Sequence, residues 1–180
     1  SRKYKFHDND KLYFISFAVV NWIDVFIRDE YKEIMIASWK HCQQNKGLQI
    51  YGWCIMTSHV HMIIGTNNKN LDEIVGGMKS YTSTQLKKLI KDHQQESRRE
   101  WMVWMMERAG KKNSNDSDWQ FWQQHNKPLE IKDQEMFDKI LKYIHDNPVI
   151  AGFVNKPEDW KYSSAGDFYG MKGLVELSYS

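Results

Sequence analysis

Two apolar runs separated by a short Thr-Ser sequence constrain this chain more than any other feature. The runs cover residues 49–56 and 59–65, and they are rich in β-branched and aromatic side chains. They therefore predict two neighbouring strands joined by a tight turn. The second run begins with His59, Val60 and His61. Side chains at i and i+2 of a strand share a face, so the two imidazoles are expected to project together while Val60 turns into the core.

Two neutral imidazoles on one strand face supply half of a metal site. Histidine also reaches protein surfaces without binding any metal. The pair by itself therefore leaves both interpretations open, and the remaining ligands have to come from another part of the chain.

A second motif lies at Tyr143-Ile-His-Asp-Asn147. Residues 133–147 predict a helix, with Asp133 as its N-cap and Pro148 ending it, because the residue before a proline is disfavoured in the α conformation. Apolar side chains recur along this segment at helical spacing. Tyr143 and Asn147 are four residues apart and therefore lie on one face of the helix, one turn from each other.

Each of these polar residues also has an ordinary structural explanation. Tyr143 can be a boundary tyrosine whose ring is buried and whose hydroxyl reaches water. Asn147 is a residue type common at helix C-termini. Tyr81, in a helix predicted over residues 71–93, is a competing candidate, because Gln85 places an amide one turn further along the same face.

The ordered set of motifs resembles the HUH single-tyrosine transposases, and it is most similar to the REP-associated branch of domesticated relatives. The resemblance covers nearly the whole chain and is specific as a set, although His-x-His alone is weak. Its parts are His59-Val-His61 after Met-Thr-Ser, Tyr143-Ile-His-Asp-Asn-Pro-Val149, Ala151-Gly-Phe-Val154, Pro157-Glu-Asp-Trp160 and Tyr162-Ser-Ser-Ala165.

The resemblance implies roles for four residues. His59 and His61 match the metal-binding histidines, Tyr143 matches the nucleophile, and Asn147 matches the position of a third metal ligand. Tyr143 is preferred over Tyr81 because its Asn-Pro-Val context matches the family. Two imidazoles and one amide oxygen suit Mg²⁺ or Mn²⁺ as the cofactor, and this ligand set does not exclude Zn²⁺.

The implied activity is that of a metal-dependent single-strand DNA endonuclease and strand transferase. Attack by the tyrosine would leave a covalent 5′-phosphotyrosine and a free 3′-hydroxyl, and the same site could then rejoin strands. The implied partner is a DNA hairpin, a repeated palindrome, with a single-stranded flank, and a homodimer is one arrangement found among relatives. The alternatives are a catalytically inactive ferredoxin-like nucleic-acid-binding module and a metal-dependent hydrolase without a covalent step.

Positive charge is concentrated in one part of the chain. The net charge is only +2, but residues 79–112 contain nine Lys or Arg against four acids, an excess of five. Such a stretch can contact DNA phosphates, or it can be the solvated face of a helix. With the resemblance, the candidates for contacts with the hairpin stem are Lys79, Lys87, Lys88 and Lys91.

The predicted order of elements, β-α-β-β-α-β-α, is typical of a ferredoxin-like α+β sandwich, an antiparallel sheet with helices packed mainly on one face. The length predicts one domain over residues 1–180, with a charged insertion around 96–118. The other predicted elements are strands over 11–20 and 119–131, the second with a turn at Asn126-Lys127-Pro128, a helix over 29–46, an irregularity at Gly76-Gly77, and, after residue 150, loops and turns with at most one short strand.

The composition excludes several classes of protein. No run of 18 apolar residues is present, so a transmembrane helix is not predicted. The two cysteines, Cys42 and Cys54, predict reduced thiols and no disulfide framework. We therefore expect a cytoplasmic protein with no membrane partner, and the resemblance to DNA transposases implies that it is nucleoid-associated.

Overall fold

The computed structural model describes residues 5–113, 118–124 and 127–179. Its centre is an antiparallel sheet with the strand order β2-β3-β1-β4. The strands are β1 (Leu12–Ala18), β2 (Leu48–Ile55), β3 (His59–Thr66) and β4 (Leu129–Ile131), and the α-helices among these residues are α1 (Asp29–Lys46), α2 (Leu71–Asp92), α3 (Arg99–Lys111) and α4 (Gln134–Ile150). This strand order confirms the predicted ferredoxin-like α+β fold. No helix in the described part of the chain is long and apolar enough to cross a membrane.

Alternation along β3 divides the protein into two layers. Val60, Met62 and Ile64 belong to the main core under α1 and α2. Ile63 belongs to a smaller cluster that packs under α4 on the other face of the sheet. Since alternate residues of a strand share a face, His59 and His61 lie on the α4 side together with Ile63.

The helix ends follow local signals in the sequence. α1 matches the predicted helix and ends at Gly47, whose φ of 76° is the left-handed conformation that glycine adopts easily. Asn70 caps the start of α2, and its side chain accepts a hydrogen bond from the Glu73 amide at 3.2 Å. The irregularity expected at Gly76 and Gly77 is wrong, because α2 runs through both without interruption.

The strand predicted over residues 119–131 is wrong over most of its length. Only β4 pairs with β1, and Trp122 forms an isolated bridge with Val19. Phe121 and Trp122 are nonetheless buried, because they pack into the main core from an irregular segment. The predicted turn at Asn126 lies partly outside the described residues.

The short strand predicted after residue 150 is also not seen in the described part of the chain. Residues 157–159 and 164–169 form 3-10 turns, and one isolated bridge joins Ser163 to Cys54. Next to this bridge, the Ser164 side chain binds the backbone of β2, because its hydroxyl accepts a hydrogen bond from the Trp53 amide at 2.9 Å.

α4 continues through Pro148 to Ile150, so the prediction that it ends at Asn147 is wrong. A proline removes one backbone N–H and disfavours the α conformation at the preceding residue, but it does not forbid that conformation. Pro148 lies in the last turn of α4, so only two residues of the helix follow the position where its backbone N–H is missing. The Ala151 amide still donates to the Asn147 carbonyl at 2.9 Å and closes the helix.

A buried carboxylate fixes the junction between α2 and α3. Glu96 accepts hydrogen bonds from Arg28 Nε at 2.9 Å, from Arg98 Nε at 3.0 Å and from the Tyr31 hydroxyl at 3.1 Å. Burial raises the pKa of Glu96, but the hydrogen bonds from Arg98 and Arg28 outweigh it and lower that pKa to about 2. Arg98, which counts toward the basic stretch of the sequence, is therefore bound to an acid of the protein itself.

α4 approaches the sheet closely at Gly52 in β2. A Cβ atom placed on Gly52 would overlap with Cδ1 of Leu141. The pairing of β2 with β3 is irregular at the same point, between Ile50 and Gly52. The missing side chain therefore sets how near α4 lies to the strands.

Gly52→Val is expected to destabilise the protein by about 1–3 kcal/mol, because the added methyl groups displace Leu141 in a packed interface. Gly76→Ala is the matched control, since a Cβ there meets no atom within 4 Å. Alanine is favoured over glycine inside a helix by about 0.5–1 kcal/mol, so this control should be at least as stable as wild type. Urea unfolding measures both, and a wild-type midpoint for Gly52→Val would contradict the close approach of α4.

Candidate active site

His59 and His61 lie side by side at the start of β3, with ring centroids 4.7 Å apart. β3 pairs with β1 here, which places His61 opposite Ser16. His61 is only 5% exposed and stacks on Phe14, with ring centroids 5.6 Å apart. The predicted pairing of the two imidazoles on one strand face is therefore present in the structure.

Both histidines are held in the neutral form. Burial, with a smaller contribution from His59, lowers the pKa of His61 to about 3. Burial also lowers the pKa of His59, against an opposing effect of Asp24. Within the described residues, neither ring nitrogen of His61 has a hydrogen-bond partner. A neutral imidazole with a free lone pair is the form that binds metal ions.

Tyr143 of α4 meets this pair from above the sheet. Its ring lies 5.4 Å from that of His61 and 6.1 Å from that of Phe14, measured between centroids. The neighbouring Ile144 is completely buried and anchors the helix, whereas Tyr143 is 49% exposed. The phenol is therefore positioned by packing on one side and remains open to solvent on the other.

The direction of α4 follows from contacts at its two ends. Near its start, Phe137 packs against Tyr51, with ring centroids 6.4 Å apart. Just beyond its end, Phe153 stacks on Trp160, whose indole N–H donates to the Ile55 carbonyl at 3.0 Å. α4 therefore runs in the direction of β2 and opposite to the antiparallel β3.

Asn147 lies one turn beyond Tyr143 on the same face of α4. Because α4 runs opposite to β3, this turn is displaced from His61 toward His59. Asn147 is half-buried, as expected for a residue at the edge of the helix–sheet interface. No three His, Cys, Asp or Glu side chains of the described residues form a cluster that could hold a metal ion. The predicted third ligand is an amide oxygen, and its role stays a prediction.

The competing tyrosine lies elsewhere. Tyr81 belongs to α2 and, with Ser38 and Cys42, lines a cavity of about 200 Å³ between α1 and α2. The sheet separates that layer from α4. The structure therefore brings Tyr143 to the histidines and keeps Tyr81 away from them.

The four predicted phosphate-binding lysines differ in their surroundings. Lys79 points inward over the ring of Phe17 at 5.9 Å, and burial lowers its pKa to about 8. Lys87 lies over a tryptophan ring at 5.0 Å, and Lys91 pairs with a glutamate of α3 at 3.5 Å. Lys88 is exposed. Lys87 and Lys88 are therefore the members of this set best placed to meet a phosphate.

Trp22 is a residue of this site that the sequence analysis missed. Its ring lies 5.4 Å from that of His59, and it is 58% exposed. Trp22 and Asn21 both have a left-handed backbone, with φ of 53° and 54°. Such a conformation is rare for a bulky residue and costs about 1–3 kcal/mol. No local pattern marks the residue, because its proximity to His59 arises from the pairing of β1 with β3.

Two comparisons with solved structures show what this fold is similar to. The REP-associated tyrosine transposase bound to a REP hairpin matches with a TM-score of 0.66 and 14% identity, over 99% of this chain and 92% of that chain. A candidate transposase from Deinococcus radiodurans R1 matches with a TM-score of 0.45 and 15% identity, over 81% of this chain and 95% of that chain. The first match shows a shared fold that includes α4, and the second is too remote to carry an argument. Comparison with curated protein sequences gave no match.

A family model described as "Transposase IS200 like" matches residues 17–107. This segment is just over half of the chain and includes both histidines, although it ends before α4. The fold shared with a tyrosine transposase extends over the remaining elements. The chain therefore belongs to the IS200-like transposase family, which confirms the family predicted from its motifs.

Proposed function

We propose that the protein is a metal-dependent endonuclease and strand transferase acting on single-stranded DNA through a covalent bond to Tyr143. The observation that carries this proposal is the contact of Tyr143 with His61. In that contact a half-exposed phenol meets a buried, neutral imidazole with no hydrogen-bond partner among the described residues. A purely structural histidine would be expected to have its ring nitrogens satisfied when buried.

The residues at this place fit a divalent cation. His61, whose ring nitrogens lack hydrogen-bond partners among the described residues, and the neighbouring His59 supply nitrogen donors, and Asn147, the predicted third ligand, would add an amide oxygen. This mixed set of nitrogen and oxygen donors suits Mg²⁺ or Mn²⁺ and does not exclude Zn²⁺. Such an ion, when bound, neutralises charge on the phosphate and helps align the attack.

The protein side chains supply the nucleophile and its orientation. The Tyr143 oxygen forms a bond to phosphorus while the bond from phosphorus to the 3′ oxygen breaks. The phenol proton leaves to solvent on the exposed side of the ring, and the departing 3′ oxygen gains a proton to become a hydroxyl. Phe14 contacts the rings of both Tyr143 and His61 and so fixes their positions relative to each other. The phosphotyrosine preserves the bond energy, so attack by a 3′-hydroxyl reverses the step and joins strands.

A DNA hairpin with a single-stranded flank is the proposed partner. It is supported by the structural neighbour that is bound to a REP hairpin. Phosphate contacts position such a stem without reading its sequence. Tyr143 and His61 belong to one chain here, so a homodimer is not needed to bring them together.

Tyr143→Phe is expected to abolish cleavage and the covalent adduct, because it removes the attacking oxygen and keeps the ring contacts. Hairpin affinity should stay within a few-fold of wild type. The substrate is a labelled single strand carrying a repeated palindrome of the host genome, and a denaturing gel in Mn²⁺ detects the adduct. Tyr81→Phe is the matched control and should retain activity.

If the Tyr143→Phe protein still cleaved DNA, the nucleophile would have to be another residue or water. A wild-type protein that binds the hairpin but forms no adduct would instead favour an inactive nucleic-acid-binding module. Cleavage without an adduct would favour a metal-dependent hydrolase.

His59→Ala and His61→Ala are each expected to remove metal-dependent thermal stabilisation together with cleavage. A bound ligand stabilises the folded state by about 2.7 kcal/mol at a hundredfold excess over Kd. Titration of Mn²⁺ in a thermal melt measures this shift without any substrate. His41→Ala, an exposed histidine of α1, is the control that should keep the shift. If both site variants kept the wild-type increase in melting temperature with Mn²⁺, the histidines would have a structural role only.

Lys87→Ala combined with Lys88→Ala is expected to weaken binding of all hairpins alike. Each lost phosphate contact should flatten the slope of log K against log salt by roughly 0.7 to 0.9, so the pair should change it by about one to two units. Fluorescence anisotropy across a salt series measures this slope. Lys40→Ala with Lys46→Ala, on the exposed side of α1, is the matched control. Unchanged affinity of the first double variant at every salt concentration would assign these lysines to a solvated helix face.

A further inference from the structure

The turn after β1 connects the histidine pair with a cleft beside α3. Trp22 contacts His59, and its neighbour Asn21 lines the cleft. Consecutive Cα atoms are about 3.8 Å apart. The cleft and the histidine pair therefore border the same turn, with Asn21 on the side of the cleft and Trp22 on the side of His59.

The size and polarity of this cleft suit part of a nucleic acid. Its volume is about 580 Å³, within the range of about 300–1,000 Å³ typical of ligand sites. Arg108 and Lys112, from the end of α3, supply positive charge, and Asn21, Gln120 and Gln124 supply amides. The described residues that line it include no Asp or Glu. Phosphate groups and base edges are the ligand chemistry that such a lining recognises.

Backbone hydrogen bonds of the turn after β1 keep the Trp22 ring outside the core. The Trp22 amide donates to the Val19 carbonyl at 2.9 Å, and the Val20 amide donates to the Phe121 carbonyl at 2.7 Å. Trp22 keeps its left-handed backbone and stays 58% exposed within this frame. Unfavourable backbone conformations that persist beside a reactive site commonly serve a ligand.

We infer that the exposed face of Trp22 and the adjoining cleft together form a subsite for unpaired nucleotides of the DNA flank, next to the phosphate that is cleaved. One base stacks on Trp22 beside His59, while Arg108 and Lys112 contact phosphates of neighbouring nucleotides in the cleft. The inference rests on the proposed function and deepens it, because it assigns single-strand recognition to named residues. It also gives a role to Arg108 and Lys112, which belong to the basic stretch of the sequence.

The geometry favours single-stranded over duplex DNA. Bases in a duplex are stacked on their neighbours, so their faces are closed to a protein side chain. Every unpaired base offers a face to an aromatic ring, which makes such stacking tolerant of sequence. Loss of Trp22 should therefore affect single-stranded DNA and leave the binding of a stem unchanged.

The test measures binding in EDTA with Tyr143→Phe as the parent protein, so that no cleavage interferes. The probes are a short mixed-sequence single strand and a blunt duplex with the same number of phosphates. Trp22→Ala should weaken single-strand binding about tenfold, as expected for one stacked base, and change duplex binding by less than about twofold. Trp22→Phe should retain most of the affinity, because it keeps an aromatic face.

Two further variants separate stacking from charge and from misfolding. Arg108→Gln should flatten the salt dependence of single-strand binding by roughly 0.7, the value for one phosphate on a single strand. Tyr169→Ala removes an aromatic side chain that is 64% exposed and that, unlike Trp22, has no ring contact with His59 among the described residues, and it should change neither affinity. Melting temperatures show whether Trp22→Ala is folded, and the Phe and Gln variants test the subsite if it is not.

Equal losses of Trp22→Ala on both DNAs, or no loss on either, would overturn the inference, as would a parent protein that does not bind the single strand. None of these measurements depends on a covalent adduct. Failure to detect an adduct with the wild-type protein would therefore overturn the proposed function and leave the subsite intact, so the two failures are distinguishable.

Discussion

α4 packs on the face of the sheet opposite α1 and α2, and it comes near enough to the strands because β2 has no side chain at Gly52, where Leu141 lies. This helix–sheet contact positions Tyr143 above β3. The alternation of β3 brings His61 to the same face, so the two rings meet. The candidate active site thus depends on the packing of α4 on β3, because α4 contributes Tyr143 and β3 contributes the histidines.

The apolar surroundings that hold this helix in place also set the chemistry of the site. Burial keeps His61 neutral, and neither of its ring nitrogens has a hydrogen-bond partner among the described residues. A buried polar group without a partner is destabilising. This arrangement supports the proposal of a bound cation, and the exposed Trp22 beside His59 supports the proposed stacking of an unpaired base.

The charge pattern of the sequence overstates the number of cations available to DNA. Arg98 is bound to the buried Glu96, and Lys79 points toward Phe17. Lys91 forms a salt bridge with Glu107 of α3. What remains exposed divides between α2, with Lys88, and the cleft at the end of α3. Charge counted along a chain shows a tendency to bind phosphate, whereas its distribution over partners decides where binding occurs.

The sequence by itself determined the paired strands, the ends of α1 and the N-cap of α4, where the Asp133 side chain accepts a hydrogen bond from the Met136 amide at 2.8 Å. Alternation, glycine and capping act over a few residues, so they can be predicted without the tertiary structure. The ordered motifs of the sequence also predicted the family, which the family model over residues 17–107 shows. Only the tertiary structure decided that Tyr143 and not Tyr81 meets the histidines, that residues 119–124 pack as an irregular segment, and that Trp22 borders the site. These outcomes depend on which face of the sheet each segment covers, and that choice is made by contacts between residues far apart in the sequence.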